Sequence, residues 1–174
     1  YYKEILNKKF RFNNKKINEV DPVTHLDLKF EKIIKKIIRK IFIDHNIVGE
    51  EFGTENLNSD YTWYIDPIDG TKSFLMGLPN WSSLIGLYYK SSPIFSMAYF
   101  PVLDKLYFTD KKNSFLQSNK NIKKIRVSKN TNIKKTKVAI NTFKAISNIK
   151  NFKKLKGLNG FYKITGADSL NFCL

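Results

Sequence analysis

Residues 61–71 read Tyr-Thr-Trp-Tyr-Ile-Asp-Pro-Ile-Asp-Gly-Thr, and this stretch decides how the rest of the chain is interpreted. Residues 62–65 form a short apolar strand that runs directly into Asp66. The proline that follows fixes φ and removes an amide donor. The carboxylates of Asp66 and Asp69 and the carbonyl of Ile68 offer hard oxygens, which suit Mg²⁺ or Mn²⁺. Gly70 and Thr71 then begin a helical turn, whose amides can bind phosphate.

Taken alone, residues 66–71 are equally consistent with an ordinary acidic turn, because Asp, Pro and Gly all favour turns. Two further acidic clusters favour the metal-site interpretation. Asp21 and Asp27 flank Thr24, where helix capping is the alternative, and Glu50-Glu51 follow a short strand, where an exposed strand end is the alternative. Each cluster lies where an apolar element meets a turn, and functional side chains concentrate at such junctions.

The apolar pattern predicts a layered α/β or α+β fold rather than a doubly wound sheet. Apolar residues at helical spacing predict a helix over residues 27–44, capped by Thr24 or Asp27. Residues 54–60 are expected to form a polar loop, and residues 71–76 one or two helical turns. An antiparallel meander is predicted at residues 82–89, 94–100 and 105–109. Further strands are predicted at 47–49, 114–117, 124–127, 137–141 and 161–164, with helices at about 143–155 and after residue 168.

The composition excludes several classes of protein. The net charge is +16, but 28 of the 31 basic residues are lysines spread along the chain. Readers of nucleic acids favour arginine, so a solvated basic surface is the preferred interpretation. The single cysteine, Cys173, excludes a disulfide within the chain and favours a reducing, cytoplasmic location. His25 and His45 are expected to be surface or capping residues, and no Cys/His set predicts a zinc site. No apolar run reaches the length of a membrane span.

Both ends of the 174-residue sequence look cut. Tyr1 is not a start methionine, and Leu174 lies within an apolar run that resembles the first turns of a buried helix. We therefore expect a piece of a longer protein. We expect residues 1–135 to form an N-terminal metal- and phosphate-binding domain and residues 136–174 to begin a second domain.

Four motifs, in order, resemble those of the inositol monophosphatase superfamily of Mg²⁺-dependent, lithium-sensitive phosphatases. They are Asp21-Pro-Val-Thr-His-Leu-Asp27 (family D-x-V-T-x-x-D), Gly49-Glu-Glu51 (G-E-E), Trp63 to Thr71 (W-x-x-D-P-I-D-G-T) and the glycine motif Gly166-Ala-Asp-Ser-Leu-Asn171. The third motif is highly specific, and together the four span nearly the whole chain. The resemblance implies the family's layered sandwich fold.

The resemblance also implies roles for single residues. The implied metal ligands are Glu50, Asp66, Asp69 and the carbonyl of Ile68, for two or three Mg²⁺ ions that Mn²⁺ can replace. The implied catalytic residues are Asp27 and Thr71, which would orient and activate the attacking water, together with Glu50. The amides of Gly70 and Thr71 would hold the phosphate, and Gly166, Ala167 and Asp168 would contact the substrate.

The implied reaction is in-line attack by a metal-activated water on a small phosphate monoester, without a phosphoenzyme. The family uses a further aspartate in a W-D-x-A motif beyond the glycine motif, and this sequence ends before that point. We therefore expect the 174-residue piece to have an incomplete site and impaired activity. The full-length protein is expected to form a homodimer, as family members often do.

The substrate is predicted from the residues around the third motif. Lys72-Ser-Phe74, Gly77-Leu-Pro79 and Asp168 resemble the histidinol-phosphatase branch. Inositol phosphate is the second candidate, and a 3′(2′),5′-bisphosphate nucleotide is the third, because Asn171-Phe-Cys173 resembles the nucleotidases. The alternative from another class is a non-catalytic, basic nucleic-acid-binding protein, whose binding would fall steeply with salt.

Overall fold

The computed structural model describes residues 12–14, 22–129, 131–132, 138–140, 161–163 and 167–173. Its largest element is a sheet of eight strands. In chain order these strands are β3 (Asn46–Gly49), β4 (Gly53–Glu55), β5 (Tyr61–Asp69), β6 (Ser82–Tyr89), β7 (Ser92–Phe100), β8 (Lys105–Thr109), β9 (Ser114–Ser118) and β10 (Asn121–Ile125). Two-stranded pairs are formed by β1 (Phe12–Asn14) with β2 (Pro22–Thr24) and by β11 (Val138–Ile140) with β12 (Phe161–Lys163).

The order across the large sheet is β10-β9-β8-β7-β6-β5-β3-β4. The strands from β5 to β10 form one antiparallel meander, which confirms the prediction, and β3 pairs with β5 in parallel. The prediction of a polar loop over residues 54–60 was wrong at its start. Residues 53–55 form β4, because their backbone pairs with the exposed edge of β3.

Helix α1 (His25–Ile41) confirms the clearest helix of the sequence, shifted by two to three residues. It begins earlier than predicted because Thr24 is the N-cap. The Thr24 hydroxyl accepts from the amides of Leu26 and Asp27, and the Asp27 carboxylate accepts from the Thr24 amide, which completes a capping box. Helix α1 ends at Ile41, where the amide of Phe42 still bonds to the carbonyl of Ile38.

Two short helices lie where helical turns were expected: α2 (Thr71–Leu75) and α3 (Asp168–Cys173). The strands predicted around 124–127 and 137–141 are observed at 121–125 and 138–140. The predicted helix over residues 143–155, and the site residues Asp21 and Gly166, lie outside the described residues. In the described part of the chain, no helix has the length and apolar character needed to cross a membrane.

Helix α1 covers the sheet with two apolar clusters that bracket the carboxylates. The first cluster contains Leu26, Ile68, Phe74 and Trp81, and the second contains Ile38, Ile47, Trp63 and Ile65. Burial of such side chains is the main favourable term in folding. Ile65, directly before residue 66, belongs to the second cluster and Ile68 belongs to the first, so the segment from residue 66 to residue 70 is anchored in both.

The imidazole of His45 provides a pH-dependent contribution to stability. Its ring stacks on Phe42 and Tyr61, with centroid distances of 4.9 and 4.6 Å, and its Nδ1 accepts from Trp63 Nε1 at 3.0 Å. Burial and, less strongly, Arg39 lower the pKa of His45, against an opposing effect of Asp44. The unfolded chain therefore binds a proton on His45 more readily than the native protein does.

We expect the stabilising contribution of His45 to be lost as the pH falls through about 6.5, the ordinary histidine pKa. The raised pKa of Asp66 acts on stability in the opposite direction over this range, so the contribution of His45 is measured as a difference between two proteins. His45→Asn should lower the urea midpoint, relative to the wild type, more at pH 7.5 than at pH 5.5. His25→Asn, which changes the exposed histidine in the first turn of α1, is the matched control. An equal loss at the two pH values in His45→Asn would contradict this role of His45.

Candidate functional site

A bulge places Asp66 and Asp69 on the same face of the sheet. Asp66 pairs with Leu84 and Asp69 pairs with Ser82, so three residue steps on β5 oppose two steps on β6. In a regular strand, residues three apart point to opposite faces. The extra residue of the bulge restores Asp69 to the side of Asp66, because their partners Leu84 and Ser82 are two apart.

The bulge is held from both sides. The Ser83 hydroxyl donates to the carbonyl of Pro67 at 2.7 Å. The next residue, Ile68, is 1% exposed and packs with Leu26 and Phe74. A buried side chain on one side and a hydrogen bond on the other leave the backbone at residues 67 and 68 little freedom. The carboxylates at either end of this segment are thereby fixed relative to each other.

Asp66 is the electrostatic centre of the site. Its pKa is raised to about 8, first by burial, then by the charge of Glu50 and a hydrogen bond with it, and then by the charges of Asp69 and Asp27. One of its oxygens, Oδ1, is buried and has no hydrogen-bond partner among the described residues. Buried polar atoms almost always have a partner. The carboxylates of Glu50, Asp69 and Asp27 are thus close enough to Asp66 to interact with it electrostatically.

Asp27 has a structural role that the sequence left as an alternative. It is completely buried, and its Oδ2 accepts from the amide and the hydroxyl of Thr24 at 2.8 and 2.5 Å. Helix capping is therefore confirmed for Asp27. The same carboxylate also contributes to the raised pKa of Asp66. Capping and proximity to the site are both properties of this one side chain.

Glu50 is placed by the turn that follows β3. Its own amide donates to the carbonyl of Ile65 at 3.0 Å, which ties it to β5 one residue before Asp66. The next two amides, those of Glu51 and Phe52, donate to the Glu31 carboxylate at 2.7 and 3.2 Å. The turn is therefore bound to the sheet at one residue and to helix α1 at the next two.

Glu31 is a residue that the sequence reasoning missed. It is fully buried, yet it is satisfied by the two amides of the turn and by Lys35, whose Nζ lies at 3.2 Å. Lys35 also bridges to Glu55 of β4 at 3.0 Å. A signal was present in the sequence: Glu31 lies four residues after Asp27, on the same face of the helix.

Gly70 and Thr71 take up the expected turn at the start of α2. Gly70 adopts φ of 85°, a conformation that favours glycine, and a Cβ there would lie 2.7 Å from the Ala167 amide. The Thr71 hydroxyl donates to the carbonyl of Ile68 at 3.1 Å. A carbonyl oxygen has two lone pairs, so the predicted metal contact of Ile68 stays open. The pairing of Thr71 with Asp27 and the binding of phosphate by these amides remain predictions.

The glycine motif meets the carboxylates at the start of α3. The amide of Ala167 donates to the carbonyl of Asn80 at 2.8 Å, and the amide of Ser169 donates to Asp69 Oδ2 at 3.1 Å. Ala167 is 2% exposed, whereas Asp168 is exposed. Of these two predicted substrate residues, only Asp168 presents its side chain to solvent. Contact with a substrate remains a prediction for both.

The donor set fits a hard divalent cation. Glu50, Asp66, Asp69 and the Ile68 carbonyl offer only oxygen, which Mg²⁺ prefers. Within the described ranges, no three His, Cys, Asp or Glu side chains are already grouped tightly enough to hold an ion. Carboxylates without a cation repel one another, and the buried Oδ1 of Asp66 would gain a partner if a cation drew them together.

A cavity of about 1230 Å³ borders Glu50 and Asp66, which gives a ligand access.

Sequence comparisons find relatives of this chain among phosphatases. Over 121 residues, the chain is 40% identical to a fructose-1,6-bisphosphatase/inositol-1-monophosphatase of Aquifex aeolicus, an alignment that covers 70% of this chain and 46% of the relative. It is 37% identical over 86 residues to a histidinol-phosphatase of Chlorobaculum parvum, which covers 49% of this chain and 33% of the relative. The matched part thus spans less than half the length of either relative.

Solved structures with a similar fold include an IMPase as well. The structure superposes on an IMPase of Thermotoga maritima with a TM-score of 0.80 and 26% sequence identity, covering 98% of this chain and 66% of the other. This match confirms the predicted layered fold. A sequence model of the inositol monophosphatase family matches residues 2–173, which include every motif described above. With its motifs, its fold and its relatives in agreement, the chain belongs to the inositol monophosphatase family.

Proposed function

We propose that the protein is a Mg²⁺-dependent phosphomonoesterase that hydrolyses a small phosphorylated metabolite. The observation that carries this proposal is the environment of Asp66. It is partly buried, one of its oxygens is buried and lacks a hydrogen-bond partner in the described residues, and burial together with three neighbouring carboxylates raises its pKa to about 8. Such an arrangement is costly in an ordinary fold. Perturbed carboxylates at the edge of a cavity are typical of functional sites.

In this proposal each residue has one task. Glu50, Asp66, Asp69 and the Ile68 carbonyl hold the cations. When bound, Mg²⁺ would neutralise phosphate charge and lower the pKa of a water. The amides of Gly70 and Thr71 orient the phosphate. The carboxylate of Asp27 and the hydroxyl of Thr71 orient the attacking water, so that most of the rate enhancement comes from positioning.

Histidinol phosphate is the proposed substrate. The support is the resemblance of Lys72-Ser-Phe74 and Asp168 to that branch, and the similarity to the Chlorobaculum parvum histidinol-phosphatase. Inositol phosphate is the second candidate, and the longer and closer alignment to the bifunctional Aquifex aeolicus enzyme favours it. A 3′(2′),5′-bisphosphate nucleotide is the third.

The full-length protein is expected to release inorganic phosphate from at least one of these compounds only when Mg²⁺ is present. Malachite-green assays of histidinol phosphate, inositol 1-phosphate, fructose 1,6-bisphosphate and a 3′,5′-bisphosphate nucleotide would rank the substrates by kcat/KM. Excess chelator should reduce the rate to background, because without a cation the oxygen ligands present only negative charge to the phosphate. Mn²⁺ should restore activity, and Li⁺ should inhibit it.

Two results would contradict the proposal. Equal phosphate release in excess chelator would exclude a metal-dependent reaction. Alternatively, RNA or DNA binding that falls steeply with salt and survives Asp66→Asn, without phosphatase activity towards any compound in the panel, would favour the non-catalytic binding protein.

A further inference from the structure

Two serines far apart in the sequence meet beneath the predicted metal site. The hydroxyls of Ser82, at the start of β6, and Ser169, in the first turn of α3, lie 2.8 Å apart. Ser82 is completely buried and Ser169 is 9% exposed. Burying a hydroxyl without a partner is unfavourable, so each serine makes the burial of the other tolerable. The pair joins two parts of the chain that are 87 residues apart.

Both serines also reach one oxygen of Asp69. The amide of Ser169 donates to Asp69 Oδ2 at 3.1 Å, and the Ser82 hydroxyl lies 3.5 Å from the same oxygen. Ser82 is also the residue that faces Asp69 across the β5–β6 ladder. The three groups therefore form a small, mostly buried network with the carboxylate at its apex.

The start of α3 is held in register with this network by the backbone. The amide of Ala167 donates to the carbonyl of Asn80, two residues before Ser82, at 2.8 Å. Ala167 lies so close to Gly70 that a Cβ at Gly70 would meet the Ala167 amide at 2.7 Å. A shift of α3 would therefore move the hydrogen bonds to Asp69.

We propose that Ser82 and Ser169 are positioning residues: the Ser169 amide and the Ser82 hydroxyl, which the Ser169 hydroxyl holds in place, fix the Asp69 carboxylate through Oδ2 and thereby set its orientation towards the cation. This inference rests on the proposed function, because it takes Asp69 as a metal ligand. Partners that orient a metal-binding carboxylate typically change metal affinity or activity by about 10- to 100-fold when they are removed. The predicted effect therefore exceeds that of an ordinary buried hydroxyl pair.

The test is Mn²⁺ binding, followed by electron paramagnetic resonance and by isothermal titration. Ser82→Ala removes a hydroxyl that reaches Asp69 and is expected to raise the Mn²⁺ Kd about tenfold. Ser169→Ala keeps the amide that donates to Asp69 and removes only the partner of the Ser82 hydroxyl, so it should raise the Kd less. The double variant is decisive, because it removes both hydroxyls and leaves neither one buried alone. We expect its Mn²⁺ Kd to stay at least about tenfold above the wild-type value, while its thermal midpoint in chelator stays close to that of the wild type.

Ser96→Ala is the matched control. The Ser96 hydroxyl lies 2.8 Å from that of Thr109, which makes a second hydroxyl pair on the same sheet. This variant should bind Mn²⁺ as the wild type does. A double variant of Ser82 and Ser169 with a Kd within about twofold of wild type would overturn the positioning role alone. A wild-type protein that binds no Mn²⁺ at all would overturn the proposed function as well.

Discussion

Asp66→Asn is expected to reduce kcat/KM by about 1000-fold or more while leaving the metal-free protein at least as stable as the wild type. The loss of activity follows from the loss of a central ligand, because a bound metal contributes several kcal/mol and each 1.36 kcal/mol is a factor of ten in rate. The preserved stability follows from the environment. Burial and three neighbouring carboxylates disfavour the charge of Asp66 in the absence of a cation, and asparagine has nearly the same shape without that charge.

The two measurements together distinguish a ligand from a structural residue. Phosphate release reports the site, and the urea midpoint in chelator reports the fold. Asp60→Asn is the control. Asp60 directly precedes β5, and its exposed side chain pairs with Lys90 at 3.8 Å; exposed pairs contribute little, and Asn keeps the backbone carbonyl that accepts from the Lys90 amide. The control should retain both properties. An Asp66→Asn protein that is markedly less stable in chelator would show that Asp66 is needed for folding rather than for metal binding.

The sequence predicted the elements that depend on local pattern. The helical spacing of isoleucines gave α1, and the alternation of apolar residues gave the meander from residue 82 to residue 109. The segment from Asp66 to Thr71 predicted a metal site only together with the other acidic clusters, because taken alone it is equally consistent with a turn. The predictions of α1 and of the meander were confirmed because the period of each element is contained in a few neighbouring residues.

Other parts of the site depend on contacts that no local pattern contains. The bulge between Asp66 and Asp69 exists only in relation to Leu84 and Ser82. It could not be inferred from β5 by itself. The first two residues of the predicted loop over residues 54–60 belong to β4 for the same reason, because this polar strand is stabilised by pairing with β3. Long-range pairing determined both outcomes.

Gly49→Ala is expected to destabilise the protein strongly and to weaken Mg²⁺ binding. A Cβ at Gly49 would lie 1.7 Å from Glu31 Oε1 and 2.3 Å from Glu31 Cδ, distances that no real pair of atoms tolerates. The carboxylate must therefore move away and give up the amides of Glu51 and Phe52. Hydrogen bonds to a charged group contribute about 1.5–3 kcal/mol each, so we expect the free energy of unfolding to fall by about 3 kcal/mol. The released turn would no longer hold Glu50 in place.

The matched control is Gly86→Ala in β6. A Cβ there would meet only Tyr88 Cε2 at 3.8 Å and Tyr64 Cβ at 4.0 Å, which are ordinary contacts. Its free energy of unfolding should change by less than about 1 kcal/mol, because glycine in a strand costs about that much relative to alanine. Urea unfolding in chelator measures stability, and titration with Mg²⁺ measures the second effect. If Gly49→Ala lost no more stability than this control, the turn would accommodate a methyl group without displacing Glu31. That result would contradict the clash inferred from the structure.

A double-mutant cycle tests whether Glu31 is the cause. Glu31→Ala alone should be destabilising, because it removes the acceptor of two turn amides and the partner of the buried Lys35. In the Glu31→Ala background, however, Gly49→Ala has no carboxylate to displace and should cost little more. The two substitutions are then strongly non-additive, with a coupling energy of about 1–3 kcal/mol. Additive effects would mean that the methyl group at Gly49 acts on something other than Glu31.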